Sequence, residues 1–517
     1  MRDSVVANST GARGYLRDRS LIFACGAVGL GLAVGCGDGD SRSRPEAPTS
    51  AIPAGGGGGL PFVSDAGRAG AYGGGGFGGS GGGNGIPGVG GSVDGPTPEL
   101  LGPPLVFAPT ASSFGISAVI QRGNAQSLST SVREEGQTTW YAASASSQPT
   151  ADVVEWTCAG LQPGTRYEYQ IVALTAEGEQ VVLFAGTATT KRPIGQSFSF
   201  ALLTDTHISP AAAPETYYEV YAAETLPAVG RNIGASQHDF MVHLGDVLDF
   251  HRLGFVVPPT DGALTRLGYV LYRGLVGPTL GQMAHFNVIG NWDGENGYFT
   301  DQEIAYSRQA RLDYIPGPTP RTYPEGGSEH EDYYAFTWGD ALFVVLNVMT
   351  YTPTPHRLGH ESVPGTPDDW TLGDEQLAWF QRTLEGASSR WRFVLIHHTV
   401  GGAAGDLPNS AYGRGGGQAA YVGEQALVHD LMLRHGVQIF FYGHDHVFTD
   451  MVVDGIHYTL PGSAGAPPLW MFTGSVTGYE ESWAESGHAQ VEVGPDAVRV
   501  EFLNVEGERL YEYLLEQ

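Results

Sequence analysis

Side chains that can bind metal ions recur at the ends of apolar runs in the second half of the sequence. Five such groups follow one another along the chain: Asp205-Thr206-His207, Gly245-Asp246, Gly290-Asn291, His397-His398 and Gly443-His444-Asp445-His446. Carboxylate, amide and imidazole groups are donors that divalent cations accept. A carboxylate placed between two cations can bridge them, as in two-metal hydrolytic sites. The residue types therefore point to a centre for two divalent cations.

Strands are the elements that must position these donors. The apolar runs FSFALLTD, DFMVHLGD, FNVIGN, ALFVVLNV, RFVLIHH and VQIFFYGH alternate with helical patterns. Continuous apolar runs of this length are typical of strands covered on both faces, and the alternation predicts an α/β layered domain. In open α/β sheets the carboxyl ends of the strands meet at one rim, where ligands bind. We therefore expect five strands to deliver their terminal donors to one place.

Each motif alone occurs by chance in many proteins, but the ordered set is specific. The series D-x-H, GD-x-x-D, GN, a strand-end His and GH-x-H resembles the calcineurin-like metallophosphoesterase family over roughly residues 197 to 505. The resemblance implies a four-layer αββα sandwich that hydrolyses phosphoric esters with metal-bound hydroxide. It also implies a bridging and catalytic role for Asp246, with a first cation held by Asp205, His207, Asp246 and His446, and a second by Asp246, Asn291, His397 and His444. Mn, Fe and Zn all suit such mixed donors, so the metal stays open.

The sequence departs from the family at its third motif. The family usually has His after Gly-Asn, and that His contacts the phosphate or protonates the leaving oxygen; here the residue is Trp292. Indole has no titratable proton near neutral pH, although its N–H could donate to a phosphoryl oxygen. His398 is the first candidate to replace the acid, with a packing role as the alternative. Arg414, in a Gly-rich loop, could clamp a phosphate oxygen or be a solvated loop residue.

Two further carboxylates are expected to support the ligands. Asp249 stands where the similar purple acid phosphatases carry a Tyr ligand, so no purple Fe(III) colour is expected, and Asp293 follows the Trp. We expect both to be hydrogen-bonding partners of ligands rather than ligands. His243 is expected to pack inside its strand. The alternative to an active enzyme is a metal- and phosphate-binding surface or adhesion protein with weak turnover, because the acid His is missing.

Residues 101–193 have the pattern of a small all-β sandwich ahead of the catalytic domain at 194–517. Short alternating runs rich in Val, Thr and Tyr are separated by turn residues. The piece LQPGTRYEYQIVA, with Leu161, Pro163, Thr165 and Tyr167, resembles a fibronectin type III corner. Cys158 lies just before it and is expected to be a buried, inert thiol.

The first hundred residues predict export and tethering. Residues 1–36 combine arginines, a short apolar stretch and small residues before Cys36, which resembles a lipoprotein signal with Cys36 as the lipidated residue. Residues 37–100 are dominated by Gly, Pro, Ser and Ala and predict a disordered tether. A lipid anchor would place the protein in the cell envelope, with the outer membrane favoured; a plain secretory signal is the alternative.

The net charge of the chain and its long connections indicate which substrates and partners to expect. The formal net charge of −28 argues against nucleic acid and anionic lipid surfaces, and leaves a small phosphate ester as the expected substrate. Specificity is expected in the long connections 250–285, 299–338 and 351–372. Thr371 and Asp374 form a capping-box pattern ahead of one helix. Nothing in the sequence indicates the oligomeric state.

Overall fold

The computed structural model describes residues 96–209, 217–252, 255–256, 262–295, 300–351, 371–398, 423–468 and 481–517. All of them belong to the second of two compact units, which runs from Gly88 to Gln517. The predicted signal with Cys36, nearly all of the Gly-rich tether, and Arg414 lie outside the described residues. None of the helices in the described ranges combines the length and apolarity needed to cross a bilayer.

The N-terminal part of the described chain is a β-sandwich. Its strands are β1 (Glu99–Leu100), β2 (Leu105–Phe107), β3 (Ser113–Gln121), β4 (Ala125–Glu134), β5 (Tyr141–Ala142), β6 (Ala145–Ser147), β7 (Val153–Ala159), β8 (Arg166–Thr175) and β9 (Gln180–Thr189). Every second residue of β8 is buried, because side chains of a strand alternate between its two faces. Burial raises the pKa of the Cys158 thiol to about 12, so that the predicted inert thiol is confirmed. Tyr167 Oη accepts a hydrogen bond from Gln162 N at 2.8 Å, which closes the predicted corner.

The rest of the chain alternates strands and helices. The elements are β10 (Phe198–Leu203), α1 (Tyr217–Ala235), β11 (Phe240–His243), β12 (His251–Arg252), β13 (Phe255–Val256), α2 (Gly262–Val276), a 3-10 turn (Gly277–Gly281), β14 (Ala284–Asn287), α3 (Asp301–Tyr314), β15 (Tyr334–Trp338), β16 (Ala341–Val345), α4 (Gly373–Gly386), β17 (Trp391–Leu395), α5 (Gly423–Arg434), β18 (Ile439–Phe441), β19 (Phe448–Val453), β20 (Ile456–Pro461), β21 (Glu481–Trp483), β22 (Gly487–Val493), β23 (Ala497–Asn504) and β24 (Arg509–Glu516). All six predicted apolar runs form strands.

Apart from β12 and β13, which pair with each other, these strands form two large sheets, the first of them together with strands of the sandwich. The first sheet has the order β24-β23-β22-β10-β11-β14-β2-β3-β7-β6, with β10, β11, β14 and β2 parallel to one another. The second has the order β15-β16-β17-β18-β20-β19-β21, with β16, β17, β18 and β20 parallel. Parallel neighbours present their carboxyl ends at the same edge of a sheet. Each sheet therefore has one edge where several strand ends meet.

The two sheets pack face to face with helices outside them. Phe200 of the first sheet and Phe343 of the second meet edge to face, with ring centroids 5.2 Å apart. Helices α1, α2 and α3 share a buried apolar cluster with the outer face of the first sheet, and α4 and α5 share one with the second. The layers are therefore α, β, β, α, as the sequence resemblance implies.

The first sheet continues without a break from the sandwich into the α/β layers. Strand β2 pairs with β14 through Ala284 and Val106. The buried guanidinium of Arg273 donates to Ser117 O at 3.0 Å, and Tyr169 Oη donates to Gly281 O at 2.9 Å. Since these contacts between the sandwich and the α/β layers involve residues far apart in sequence, the sequence alone does not predict them.

One local prediction is wrong. Helix α4 begins at Gly373 with Leu372 as its N-cap, and the Thr371–Asp374 capping box does not form. Thr371 Oγ1 instead accepts from Gly373 N at 3.0 Å, and Leu372 N donates to Glu424 Oε2 of α5 at 2.8 Å. The connections 250–285 and 299–338 contain α2 and α3, which pack on the first sheet. Their role in specificity stays a prediction.

Candidate metal centre

The five groups of candidate ligands lie together between the two sheets. β10, β11 and β14 of the first sheet precede Asp205, Asp246 and Asn291, and β17 and β18 of the second precede His397 and His444. All seven side chains are buried, and none is more than 5 % exposed: Asp205, His207, Asp246, Asn291, His397, His444 and His446. The structure thus brings together every predicted ligand, and the donors come from both sheets rather than from one rim.

Asp205, His207 and His446 form the first cluster. Their ligand atoms lie within 4.8 Å of one another. His446 Nε2 lies 3.2 Å from Asp205 Oδ1 and 3.0 Å from His207 Nε2. His446 Nδ1 lies 3.2 Å from Pro467 O. Because a carbonyl can only accept, Nδ1 carries the hydrogen and the lone pair of Nε2 faces the cluster.

Asp246, His397 and His444 form the second cluster, again with ligand atoms within 4.8 Å of one another. His397 Nε2 lies 3.1 Å from Asp246 Oδ2 and 3.1 Å from Asn291 Oδ1. His397 Nδ1 donates to Leu244 O at 2.7 Å, so Nε2 is the ring nitrogen that faces the cluster. Asn291 therefore adds an amide oxygen to this cluster.

Asp246 lies between the two clusters. Its Oδ2 is 3.1 Å from His397 Nε2 of the second cluster and 3.4 Å from His207 Nε2 of the first. No other carboxylate among the seven candidates comes within 3.5 Å of an imidazole from each cluster, since Asp205 Oδ1 is 4.0 Å from His397 Nε2. The geometry fits the bridging role that the sequence resemblance implies.

The ligand loops have an unusual backbone. Five of the seven candidates adopt left-handed φ values: Asp205 (55°), His207 (48°), Asp246 (55°), His444 (82°) and His446 (48°). Such conformations cost about 1–3 kcal/mol each in non-Gly residues and persist where the surroundings fix them, often at functional sites. Their concentration here is independent support for a functional centre.

Glycines permit the close approach of the second and third loops. Gly245 has a φ of +99°, which a side chain would disfavour. A Cβ atom on Gly290 would lie 2.1 Å from Asp246 N, so any side chain there would push the two loops apart. Both positions therefore favour Gly for a structural reason.

Carboxylates and imidazoles of the clusters shift each other's pKa values. Burial would raise the pKa of Asp205 and Asp246, but the imidazoles of His446 and His397, respectively, hold both below the usual range. Burial would lower the pKa of His397, but the Asp246 carboxylate raises it to about 9. Both carboxylates are therefore ionised at neutral pH, which cation binding requires.

The hydrogen bonding of the carboxylate oxygens that face the clusters, the inner oxygens, indicates whether cations fit there. Among the described residues, Asp205 Oδ1 and Asp246 Oδ2 meet no donor other than imidazole nitrogens of the clusters. The outer oxygens are satisfied: Asp205 Oδ2 accepts from Thr204 Oγ1 at 2.7 Å, and Asp246 Oδ1 from Trp292 N at 2.8 Å. Buried oxygens of this kind are costly unless compensated. The mixed N and O donors fit divalent cations such as Mn²⁺, Fe²⁺ or Zn²⁺.

Asp293 joins the second and third loops, as expected of a supporting carboxylate. Its Oδ2 accepts from Asp246 N at 3.1 Å and from Gly290 N at 2.8 Å, and its Oδ1 accepts from Leu248 N at 2.9 Å. Burial and then the nearby Asp246 raise the pKa of Asp293 to about 7. Three backbone N–H groups donate to this carboxylate, so Asp293 holds the loop that carries Asp246 against the loop that carries Asn291.

The other predicted residues lie at different distances from the clusters. Asp249 Oδ2 is 3.7 Å from His207 Nδ1. His398 is buried, with its ring centroid 4.5 Å from that of His444. Trp292 is 8 % exposed and follows Asn291 directly. Its contact with a substrate and the acid role of His398 stay predictions, and Arg414 lies outside the described residues.

The loop after β20 is a part of the centre that the sequence did not predict. Ser463 Oγ lies 2.6 Å from Ala466 O and 3.1 Å from Asp205 O, and Pro467 O orients His446 as described. A Cβ atom on Gly465 would lie 2.3 Å from Thr206 O, so this loop packs closely on the first ligand loop. The run GSAGAP after an apolar strand was the available signal.

Comparison with known proteins agrees with this geometry. The sequence profile of the calcineurin-like phosphoesterase family matches residues 198–448, which contain all seven candidate ligands. No curated protein matches the chain significantly.

Solved structures show the same fold at low sequence identity. A purple acid phosphatase, PPD1, from yellow lupin (Lupinus luteus) seeds is 12% identical, with 80% of this chain and 74% of that chain covered and a TM-score of 0.58. The structure of PhoD is 14% identical, with 80% of this chain and 90% of that chain covered and a TM-score of 0.58. At these identities the likeness establishes the fold only.

Proposed function

Because the profile of the calcineurin-like phosphoesterase family matches residues 198–448, we propose that the protein is a metal-dependent hydrolase of phosphoric esters with two divalent cations. The observation that carries the proposal is the pair of adjacent buried ligand clusters with Asp246 between them. Small phosphate monoesters or diesters are the proposed substrates, since the net charge of −28 disfavours long polyanions.

The chain's own residues would hold the cations in fixed positions. Asp205, His207 and His446 would hold the first, and Asn291, His397 and His444 the second, with Asp246 shared between them. When bound, two such cations generate a nucleophile from water at neutral pH and stabilise the charge that develops on phosphoryl oxygens. The Leu244 and Pro467 carbonyls orient the imidazoles of His397 and His446 before any ligand arrives.

The chain lacks the usual family residue for one step, the protonation of the leaving group. Trp292 follows the ligand Asn291 at the position where the family usually carries the acid His, and indole cannot supply a proton near neutral pH. Loss of a general acid typically costs about 10²- to 10⁴-fold in rate. We therefore propose that esters with acidic leaving groups react fastest, with His398 or water protonating slower leaving groups.

The cellular placement is proposed from the sequence alone. Cys36 follows the apolar part of the export signal, and about sixty Gly-rich residues separate it from the first described strand. We propose a lipid anchor at Cys36 and an envelope location, with the catalytic domain on a flexible tether. An unmodified mature terminus in mass spectrometry of the exported protein would favour secretion instead.

Metal content and ester hydrolysis test the proposed function. The purified full chain, loaded with Mn²⁺, Zn²⁺ or Fe²⁺, should contain about two cations per chain by elemental analysis. It should release product from aryl phosphate mono- or diesters, and a chelator should abolish the release. The rate should rise with the acidity of the leaving group.

A second candidate function follows from Trp292. Without the acid His, the centre could bind metal and phosphate with little turnover, as in a surface or adhesion protein. Two bound cations with no metal-dependent release from any ester would support this alternative. A chain that binds no cation would overturn both functions.

A further inference from the structure

Thr206 lies between two candidate ligands and links two ligand loops through its side chain. Thr206 Oγ1 lies 3.1 Å from Val247 O and 3.0 Å from His243 Nε2. Thr206 and His243 are both fully buried. His243 is the last residue of β11 and directly precedes the loop that carries Asp246. One hydroxyl therefore joins the first loop to both ends of the second.

The hydrogen bonds of His243 determine its tautomer. Gly245 N donates to His243 Nδ1 at 3.1 Å, so Nδ1 carries no hydrogen. Nε2 then carries the hydrogen and donates to Thr206 Oγ1, whose own hydrogen goes to Val247 O. Burial and the neighbouring His285 lower the pKa of His243 well below its usual value, which preserves this neutral form. The Thr206 hydroxyl also lies 3.4 Å from Asp246 O, so both of its carbonyl neighbours belong to the second loop.

The link acts where the backbone is strained. Asp205 and His207, on either side of Thr206, both have left-handed φ values, and so does Asp246. Backbone bonds between the two loops add to the link: His207 N donates to Asp246 O at 3.0 Å, and Ile208 N donates to Val247 O at 2.9 Å. Strained conformations persist only where surrounding contacts fix them. The hydrogen bonds of the Thr206 side chain are among the contacts that hold Asp205, His207 and Asp246 in these conformations.

We propose that His243 and Thr206 are positioning residues of the metal centre, which hold Asp205, His207 and Asp246 in the arrangement that two cations require. The inference rests on the proposed two-cation function. It replaces the expectation that His243 is only a packing residue of its strand. Hydrogen-bond partners of ligands typically change metal affinity by about 10- to 100-fold when they are removed.

Calorimetric titration of the full chain with Mn²⁺ or Zn²⁺ tests the proposal. His243→Phe and Thr206→Val should each weaken cation binding by about 10- to 100-fold, and the double variant should bind about as weakly as the weaker single one, because both changes remove the same link. Thr206→Ser keeps the hydroxyl and should bind normally. His243→Gln can place an amide donor where Nε2 lies and should recover more affinity than His243→Asn, whose side chain is too short.

His238→Phe is the matched control. His238 is a buried histidine that precedes β11, at the opposite end of that strand from the Asp246 loop, and its Nδ1 lies 3.0 Å from Ser199 Oγ. This variant should lower the melting temperature without changing cation affinity. If His243→Phe does not fold, comparison of Thr206→Val with Thr206→Ser tests the proposal.

The outcomes separate this proposal from the proposed function. A wild-type chain that binds no cation would overturn both. If wild type binds two cations, and Thr206→Val and His243→Phe bind them as tightly as His238→Phe does, the positioning role is wrong and the proposed function stands.

Discussion

Buried histidines occupy two regions of this molecule, the candidate metal centre and the interior of the first sheet. The pKa values of His207 and His397 in the centre are raised, whereas those of His285 and His488 in the sheet are lowered. In the centre, burial would lower the pKa of His397, but Asp246 lies 3.1 Å from its Nε2 and raises the pKa to about 9. In the sheet, burial lowers the pKa of His285 and of His488 to about 3. The residue type and the burial are the same. The nearby carboxylate makes the difference.

The comparison shows why one buried histidine does not identify a site. Desolvation keeps an isolated imidazole neutral, and a hydrogen bond such as that of His285 to Tyr272 is enough to satisfy it. Histidines that converge on an ionised carboxylate retain a high affinity for positive charge, which a proton or a cation can supply. The paired carboxylates Asp205 and Asp246 therefore mark the functional region.

The first prediction removes the carboxylate that distinguishes the centre. Removing one partner of a buried ion pair typically costs about 3–5 kcal/mol, and a loss of this size in binding free energy corresponds to about 10²- to 4 × 10³-fold in affinity. Asp246→Ala should therefore weaken cation binding by at least this factor, because both clusters lose the shared ligand. Titration with Mn²⁺ measures it, with His285→Phe as the buried control in the sheet. Equal cation affinities of the two variants would contradict the distinction between the regions.

The second prediction adds an acid beside the centre. Trp292→His introduces a titratable imidazole next to Asn291, and the rate for esters with poor leaving groups should rise by about 10²-fold, the lower end for general acid catalysis. Esters with acidic leaving groups should change little. A series of aryl esters of graded leaving-group pKa measures the difference. A uniform change across the series would show that Trp292 packs or binds instead.

The third prediction concerns the sheet interior. Neither ring nitrogen of His488 meets a hydrogen-bond partner among the described residues. Its folded-state pKa of about 3 lies below the unfolded value near 6.5. The stability associated with the neutral form is therefore present above about pH 6.5 and is lost as the pH falls towards 3, by about 1.4 kcal/mol per pH unit.

His488→Leu should remove this acid sensitivity. Between pH 6 and pH 4, the unfolding free energy of the variant should fall by about 1.4 kcal/mol less per pH unit than that of wild type. Denaturation with chelator at each pH measures it without a contribution from cations. Parallel pH profiles would mean that His488 is protonated in the folded protein.

Strands were predictable from the sequence, whereas several helices were not. Runs such as FSFALL are continuously apolar, and burial on both faces favours this pattern. Helix α3, DQEIAYSRQARLDY, is polar over most of its length, so its periodicity is weak although it buries Arg311 and Tyr314. The Thr371–Asp374 capping box did not form: Thr371 Oγ1 accepts from Gly373 N, and Glu424 of α5, distant in sequence, accepts from Leu372 N.

The candidate ligands were predictable because they follow strands that the apolar pattern locates. Asp205, Asp246, Asn291 and His444 each stand within four residues of a strand end. Their partners were less accessible: Asp293 follows a ligand closely, but the contacts of Thr206 with His243 and of Pro467 with His446 have no local signal.

By itself, the sequence determined which donors the chain carries and that strands deliver them, since apolar runs specify strands and the residue after each run specifies a donor. Only the tertiary structure decided that two sheets contribute to the centre, that Asp246 lies between the clusters, and that the sandwich shares the first sheet through β2 and β14. The physical reason is that the two properties depend on interactions over different distances along the chain. Local patterning fixes burial and strand direction residue by residue, whereas distances between donors depend on how sheets pack and twist against each other, a property of the whole core.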